Sequence, residues 1–405
     1  MFDAGITGFM LIATALVMIM TPGLAFFYGG LARRRNVVGI MAQSFVSLGI
    51  TAAMWFICGY SLCFSGGDGG IIGDLHKAFM QGVDVNTPFA ANPKMPELVF
   101  MAYQLMFAVI TPALISGAFT DRVKPKAYLV FLVLWQLLVY YPFAHMIWGG
   151  GWLAKWGVLD FAGGIVVHAT AGAAALASVV YVGKRRDTES RPNSIPLIAI
   201  GTGLLWFGWF GFNAGSELNV DGVTAQAFVN TNFAAAFAGL TWLAIEWFKA
   251  GKPKFVGFMT GAVAGLATVT PASGFVSLPS AVVIGVASGI VCFLACALKN
   301  KMKWDDALDV WGVHGVGGAL GTVLLGVFAS KLVNAAGADG LMNGGTLFFA
   351  KECIAVAAAA VWGFVATYVL LAVINMITRV RVTAAEEDAG DAAIMGERGY
   401  DDGAF

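Results

Sequence analysis

Residues Asp160–Val180 read "DFAGGIVVHATAGAAALASVV", and this stretch decides how the chain is interpreted. It is apolar, rich in small residues and about as long as a bilayer-crossing helix must be. Yet it keeps an imidazole, His168, eight residues after an aspartate. An ionisable group at membrane depth is costly and by default marks a pathway or a relay. The plainer alternative is a core histidine bonded to a neighbouring helix, and for one histidine alone the two readings balance.

The rest of the chain supports a membrane setting. It has 405 residues, of which 59% are hydrophobic and 12% charged, with a mean hydropathy of +0.78. Soluble domains are about a quarter charged, so composition excludes an ordinary soluble fold. The net charge of zero suggests neither a nucleic acid nor an acidic partner. The five cysteines lie in or at the ends of apolar segments, with no metal-ligand spacing near a histidine, so neither a disulfide nor a metal site is expected. No nucleophile–base pair or cofactor motif occurs, which points away from an enzyme and from any cofactor. No Lys or Arg precedes Arg33. The N-terminus therefore lacks the basic region of a signal peptide and reads as a first spanning helix entered from outside.

Apolar stretches able to span fall near 5–30, 37–63, 98–119, 127–148, 161–183, 195–215, 227–248, 255–275, 279–298, 310–330 and 350–378. They predict an all-α membrane protein of eleven transmembrane helices. Of the 24 basic residues, only Lys77, Lys94, Lys155, Lys331 and Lys351 fall in one set of loops; the others, Arg191 among them, fall in the other set and the tail. The positive-inside rule places the N-terminus outside and the C-terminus in the cytoplasm. Residues 1–381 form the membrane domain. Residues 382–405 form an acidic, polar cytoplasmic tail that could not fold by itself.

Two of the four histidines, His76 and His145, lack a clear partner in sequence and read as structural. The others, His168 and His314, fall inside the fifth and tenth spans. Asp309 precedes His314 by five residues, and glycine follows each histidine four residues on, as Gly172 and Gly318. The two helices run in opposite directions. Five spans plus five, with matching histidines, form an inverted repeat (about 5–183 and 195–330) plus one extra helix, with the site near the midplane. Small residues beside each histidine let the two backbones approach closely.

Aromatic residues add a second pattern. Gln104 and Phe107 share one face of the third span; Trp209, Phe212 and Ser216 share one face of the sixth. Trp148 ends the fourth span. Aromatic stripes are more often packing, and a terminal tryptophan is more often an interfacial anchor. A serine oxygen beside rings is more specific, because that combination suits a small cation that also donates hydrogen bonds.

"DFAGGIVVHATAG", "TPGLAFFYGGLARRRN", "GWFGFNAGS" and "DVWGVHGVGG" together resemble the signature segments of the Amt/Rh ammonium transporter family, and the likeness covers essentially all eleven spans. The resemblance implies a homotrimer in the lipid bilayer of the cell (inner) membrane, each subunit with its own pore. It implies recruitment of ammonium at Phe107, Trp148 and Ser216, with support from Asp160. Phe107 and Phe212 match the family's gating rings, and His168 and His314 its twin histidines; Gln104 and Trp209 are further pore-lining candidates. Ammonium would then lose a proton and cross as ammonia, with the proton taking a separate route. Trp148 and Ser216 together point to the Amt branch. In the tail, Asp391, Gly396, Glu397 and Tyr400 loosely match the segment that meets PII signalling proteins. The alternatives are an ammonium sensor, for which the short tail leaves little room, and an Rh-type neutral gas channel.

Overall fold

The computed structural model describes residues 1–188 and 192–400; Arg191 and residues 401–405 of the tail lie outside them. In chain order the main helices are α1 (Ala4–Leu31), α2 (Arg34–Phe64), α3 (Glu97–Ala118), α4 (Pro125–Trp156), α5 (Gly164–Val182), α6 (Ile195–Glu217) and α7 (Gly222–Ala250). They continue with α8 (Phe255–Val269), α9 (Leu278–Lys301), α10 (Trp311–Phe328) and α11 (Thr346–Ile377). A small antiparallel pair, β1 (Pro88–Phe89) and β2 (Asn92–Pro96), sits in the loop between α2 and α3.

Among the described residues, ten of these helices are long and apolar enough to cross a membrane. The exception is α8. The stretch expected to span over 255–275 is helical for only 15 residues, about 22 Å at 1.5 Å per residue, short of the roughly 30 Å hydrocarbon core. Pro271 marks the early stop: Thr270 still has helical torsions, but the proline brings no N–H to continue the helical ladder. The chain then turns through Ala272 and Phe275, whose N–H groups bond back to Val269 and Ala272. From Gly261 to Val269 the helix is buried, so other helices rather than lipid surround its second half.

Helix starts follow the sequence. Asp3 accepts from Ile6 N at the head of α1, Ser194 caps α6, and Asp221 with Thr224 forms a capping box on α7. Such caps satisfy N–H groups that have no partner inside the helix.

α1 and α6 pack along their length, and so do α5 and α10. Glycines permit both seams. A Cβ on Gly201 would stand 2.2 Å from the Phe27 nitrogen, and one on Gly172 would stand 2.1 Å from the Gly315 Cα. Close backbone approach of this kind drives helix association in lipid, where burying apolar side chains brings little gain.

After α11 the chain does not trail away. Lys124 N donates to Val380 O and Val382 N to Arg122 O, which ties the exit to the α3–α4 turn. Two short helices follow, α12 (Ala384–Ala389) and α13 (Asp391–Ile394). Thr383 and Glu386 form a capping box on α12, and buried Glu387 accepts from Arg186 N and Arg381. The tail is acidic, as its composition says, and Glu386, Glu387 and Asp388 pair with Lys124, Arg381 and Arg186. Beneath it, the fully buried Arg122 donates to Gly183 O and to Asp305, and Asp305 also takes the Arg185 guanidinium.

Candidate functional site

The site is built around two helix starts. Asp160 precedes α5 and turns its carboxylate into the helix: Oδ1 accepts from Gly163 and Gly164 N, Oδ2 from Ile165 and Val166 N, at 2.7–3.0 Å. Gly163, at φ +118°, makes the entry turn, a torsion that favours glycine. The first stretch of α5 is π-helical, with His168 N bonding back five residues to Gly163 O at 2.9 Å. Such widened turns concentrate at functional sites, and this one aims His168 inward.

α10 repeats the arrangement. It too opens with a π-helical segment, Trp311–Gly315, which carries His314. Its carboxylate is Asp306, whose Oδ1 accepts from Val310 N and Oδ2 from Trp311 N. This corrects the expectation that set Asp309 against Asp160. Asp309 instead pairs with Lys299 at 2.6 Å. The signal was in the sequence: Asp306 precedes His314 by eight residues, the same spacing as Asp160 to His168. Burial pushes the Asp306 carboxyl up to about 6, against the opposing pull of Lys299.

Both histidines are buried, and their Nδ1 atoms lie 3.2 Å apart with the rings nearly parallel. They line a narrow cavity whose other walls include Leu24, Phe27, Leu114, Leu205, Trp209 and Phe212. His168 Nε2 is buried with no hydrogen-bond partner among the described residues. An unpartnered polar atom in an apolar cavity is expensive, so a polar occupant there has a ready partner. Trp209 stacks on His168 and spends its N–H on Thr270.

Phe107 and Phe212 stack with ring centres 4.1 Å apart, both almost fully buried. Phe212 faces His168 on one side, while Phe107 meets Trp148 edge-on at 5.8 Å on the other. Beyond them lies an open vestibule lined by Trp148, Leu159, Asp160, Phe161, Ser216 and Glu217, among others. The Trp148 indole N–H donates to Asp160 O at 2.8 Å, which fixes the ring. Ser216 Oγ lies 2.9 Å from Phe212 O and 3.2 Å from the Tyr103 hydroxyl. Ser216 and Trp148 thus face one space, and the Phe107–Phe212 pair packs between Trp148 and His168. Sequence reasoning did not single out Tyr103, which packs on Phe107 and donates to the Gly211 and Phe212 carbonyls.

The remaining candidates fall elsewhere. Gln104 is buried, with Oε1 unpartnered among the described residues, but lines neither the vestibule nor the histidine cavity. His145 contacts the carbonyls of Cys63 and Gly67, and His76 lies exposed beside Asp74. In the tail, Asp391 caps the start of α2 by accepting from Val38 and Gly39 N. Tyr400 accepts from Asn193 and lies under Arg34. Gly396 makes a left-handed turn at φ +74°, and Glu397 is exposed.

Comparison with known proteins bears on this geometry. The profile described as Ammonium Transporter Family matches residues 8–400. The chain is 45% identical over 401 residues to an ammonium transporter of Bacillus subtilis, covering 98% of this chain and 99% of that one. It is 46% identical to ammonium transporter Amt1 of Archaeoglobus fulgidus, over 95% and 96% of the two chains. The crystal structure of Saccharomyces cerevisiae Mep2 superimposes with a TM-score of 0.89 at 37% identity, over 94% of this chain and 91% of that one.

Proposed function

Since the chain belongs to the ammonium transporter family, we propose that it carries ammonium across the cell membrane by recruiting the ion in the Trp148–Ser216 vestibule and passing ammonia beyond the Phe107–Phe212 rings. In this reading α8 also belongs to the membrane domain and brings its segments to eleven, the N-terminus lies outside, and the two halves are inverted repeats about the histidine pair. The observation that carries it is the sequence of environments along one line. An aromatic vestibule with a hydroxyl gives way to a closed ring pair and then to an apolar cavity with two imidazoles.

Each environment has a task. In the vestibule the ring faces attract a cation, and the Ser216 and Asp160 backbone region offers acceptor oxygen. The stacked rings exclude a hydrated ion. Beyond them a charge would lose its water in apolar surroundings, at a cost of several kcal/mol, whereas neutral ammonia passes cheaply. The His168 Nε2 atom offers ammonia a hydrogen-bond partner, and the Nδ1 contact gives a proton somewhere to move.

Gln104 supports the α3 face that presents Phe107, and Trp209 holds His168 in plane. Three subunits, each with a pore of its own, make up the assembly, and residues 382–405 form a regulatory surface for a cytoplasmic PII protein. The test is current recording on proteoliposomes given an ammonium pulse. A current that saturates with ammonium is expected. Uptake without current would indicate a neutral gas channel, and the absence of both would indicate a sensor.

A further inference from the structure

At its outer end α11 holds the segment that shapes the vestibule. Glu352 is completely buried. Its Oε1 accepts from Leu159 N at 2.7 Å, and its Oε2 has no partner among the described residues. The preceding residue, Lys351, donates to Trp156 O at 2.5 Å. Two consecutive side chains of α11 therefore grip the strip that ends in Asp160. That strip matters because Leu159 and Asp160 line the vestibule, and the Asp160 carbonyl fixes the Trp148 indole. A buried amide N–H needs an acceptor, and for Leu159 that acceptor comes from α11, none of whose residues lines the vestibule.

We propose that Glu352 is a positioning residue for ammonium recruitment, acting through Leu159 and Asp160 to hold Trp148 where a cation meets its face. The inference rests on the vestibule's being the recruitment site. Glu352 lies outside the vestibule and touches neither the ion nor the histidine cavity. Its loss should therefore affect how tightly ammonium is captured, not how fast captured substrate crosses. An amide keeps the acceptor oxygen while removing the ionisable proton, so glutamine separates the acceptor from the charge.

The test measures half-saturation and maximal ammonium flux, normalised to folded protein, for the parent, Glu352→Ala, Glu352→Gln and Trp148→Leu in one proteoliposome series. Glu352→Ala should raise half-saturation about fivefold, the scale of one neutral hydrogen bond, with maximal flux kept; Glu352→Gln should restore the parental value. If Trp148→Leu raises half-saturation and Glu352→Ala does not, the positioning role is wrong while the recruitment site stands. If neither variant moves it, the recruitment site itself is misassigned. Should Glu352→Ala yield too little folded protein, Glu352→Gln decides: a loss of maximal flux at parental half-saturation would make the carboxyl a proton carrier and overturn the proposal.

Discussion

His168 Nδ1 lies 3.2 Å from His314 Nδ1, across a seam where Gly172 and Gly315 bring the two backbones together. Two facing nitrogens can share only one proton. One ring then donates through Nδ1 and leaves its Nε2 a bare acceptor. The other accepts at Nδ1 and must carry its proton on Nε2. The pair thus carries one bare Nε2 acceptor and one Nε2–H donor; their roles exchange only when the bare Nε2 gains a proton, the Nδ1 proton crosses the contact and the other Nε2 releases its own.

The two aspartates that start the histidine helices should be functionally paired. Asp306→Ala strands the Val310 and Trp311 N–H groups and should cost about 2–3 kcal/mol of stability. By releasing the first turn of α10 it should also lower maximal ammonium flux per folded protein, with half-saturation unchanged. Asp160→Ala strands four N–H groups and should cost more. Thermal unfolding together with flux assays checks both; an Asp306→Ala variant of parental stability and flux would contradict the pairing.

Recruitment is tested at the vestibule. Cation–π attraction plus one hydrogen bond is worth roughly 1–3 kcal/mol. Trp148→Leu combined with Ser216→Ala should therefore weaken ammonium capture about five- to 150-fold, while assembly is kept. Unchanged half-saturation in the singles and in the double variant would remove these residues from the site.

How much of this was legible in the sequence follows from how local each signal is. The spans, the histidines and the ring faces are periodic patterns within single helices, and they can be read directly. The end of α8 escapes a reading by charge because 270–275 carry no charged residue, while Pro271 has no N–H to extend the helix. Asp309 lies nearer His314 in sequence, and only the eight-residue spacing shared with Asp160 and His168 marks Asp306 as the counterpart. Tyr103 bonds carbonyls of α6 and Glu352 bonds the strip before α5, contacts between segments distant in sequence that no single-helix pattern displays. The tail's composition indicates a chain that cannot fold alone; its order comes from the adjacent Arg381 and from Arg186 and the head of α2, which are distant in sequence.

Tail docking should respond to pH. Burial raises the Asp391 carboxyl to about 6, opposed by the Val38 and Gly39 N–H groups. A folded-state value above the unfolded one means that the docked tail takes up a proton as pH falls, so docking tightens between about pH 7 and 5. Glu386 runs the other way, held below its ordinary value first by the Thr383 backbone and then by the Thr383 side chain and Lys124; its contribution is lost only at lower pH. Hydrogen exchange at Val38 and Gly39 should therefore slow from pH 7 to 5 beyond the intrinsic pH effect. Faster corrected exchange would contradict the assignment.

Deleting residues 382–405 should abolish co-purification with a PII protein and change transport activity. Equal binding by the truncated protein would move that contact to the inner loops.

The central claim is that the twin histidines carry substrate and are not packing alone. The most direct measurement is ammonium and potassium current, normalised to folded protein, for the parent and for His168→Ala combined with His314→Ala. Loss of ammonium current, or a gain of potassium current through the emptied cavity, is the predicted result. A single Asp or Glu replacement at either position, which keeps a proton acceptor, should retain some flux. Parental ammonium current with parental selectivity in the double alanine variant would contradict the account.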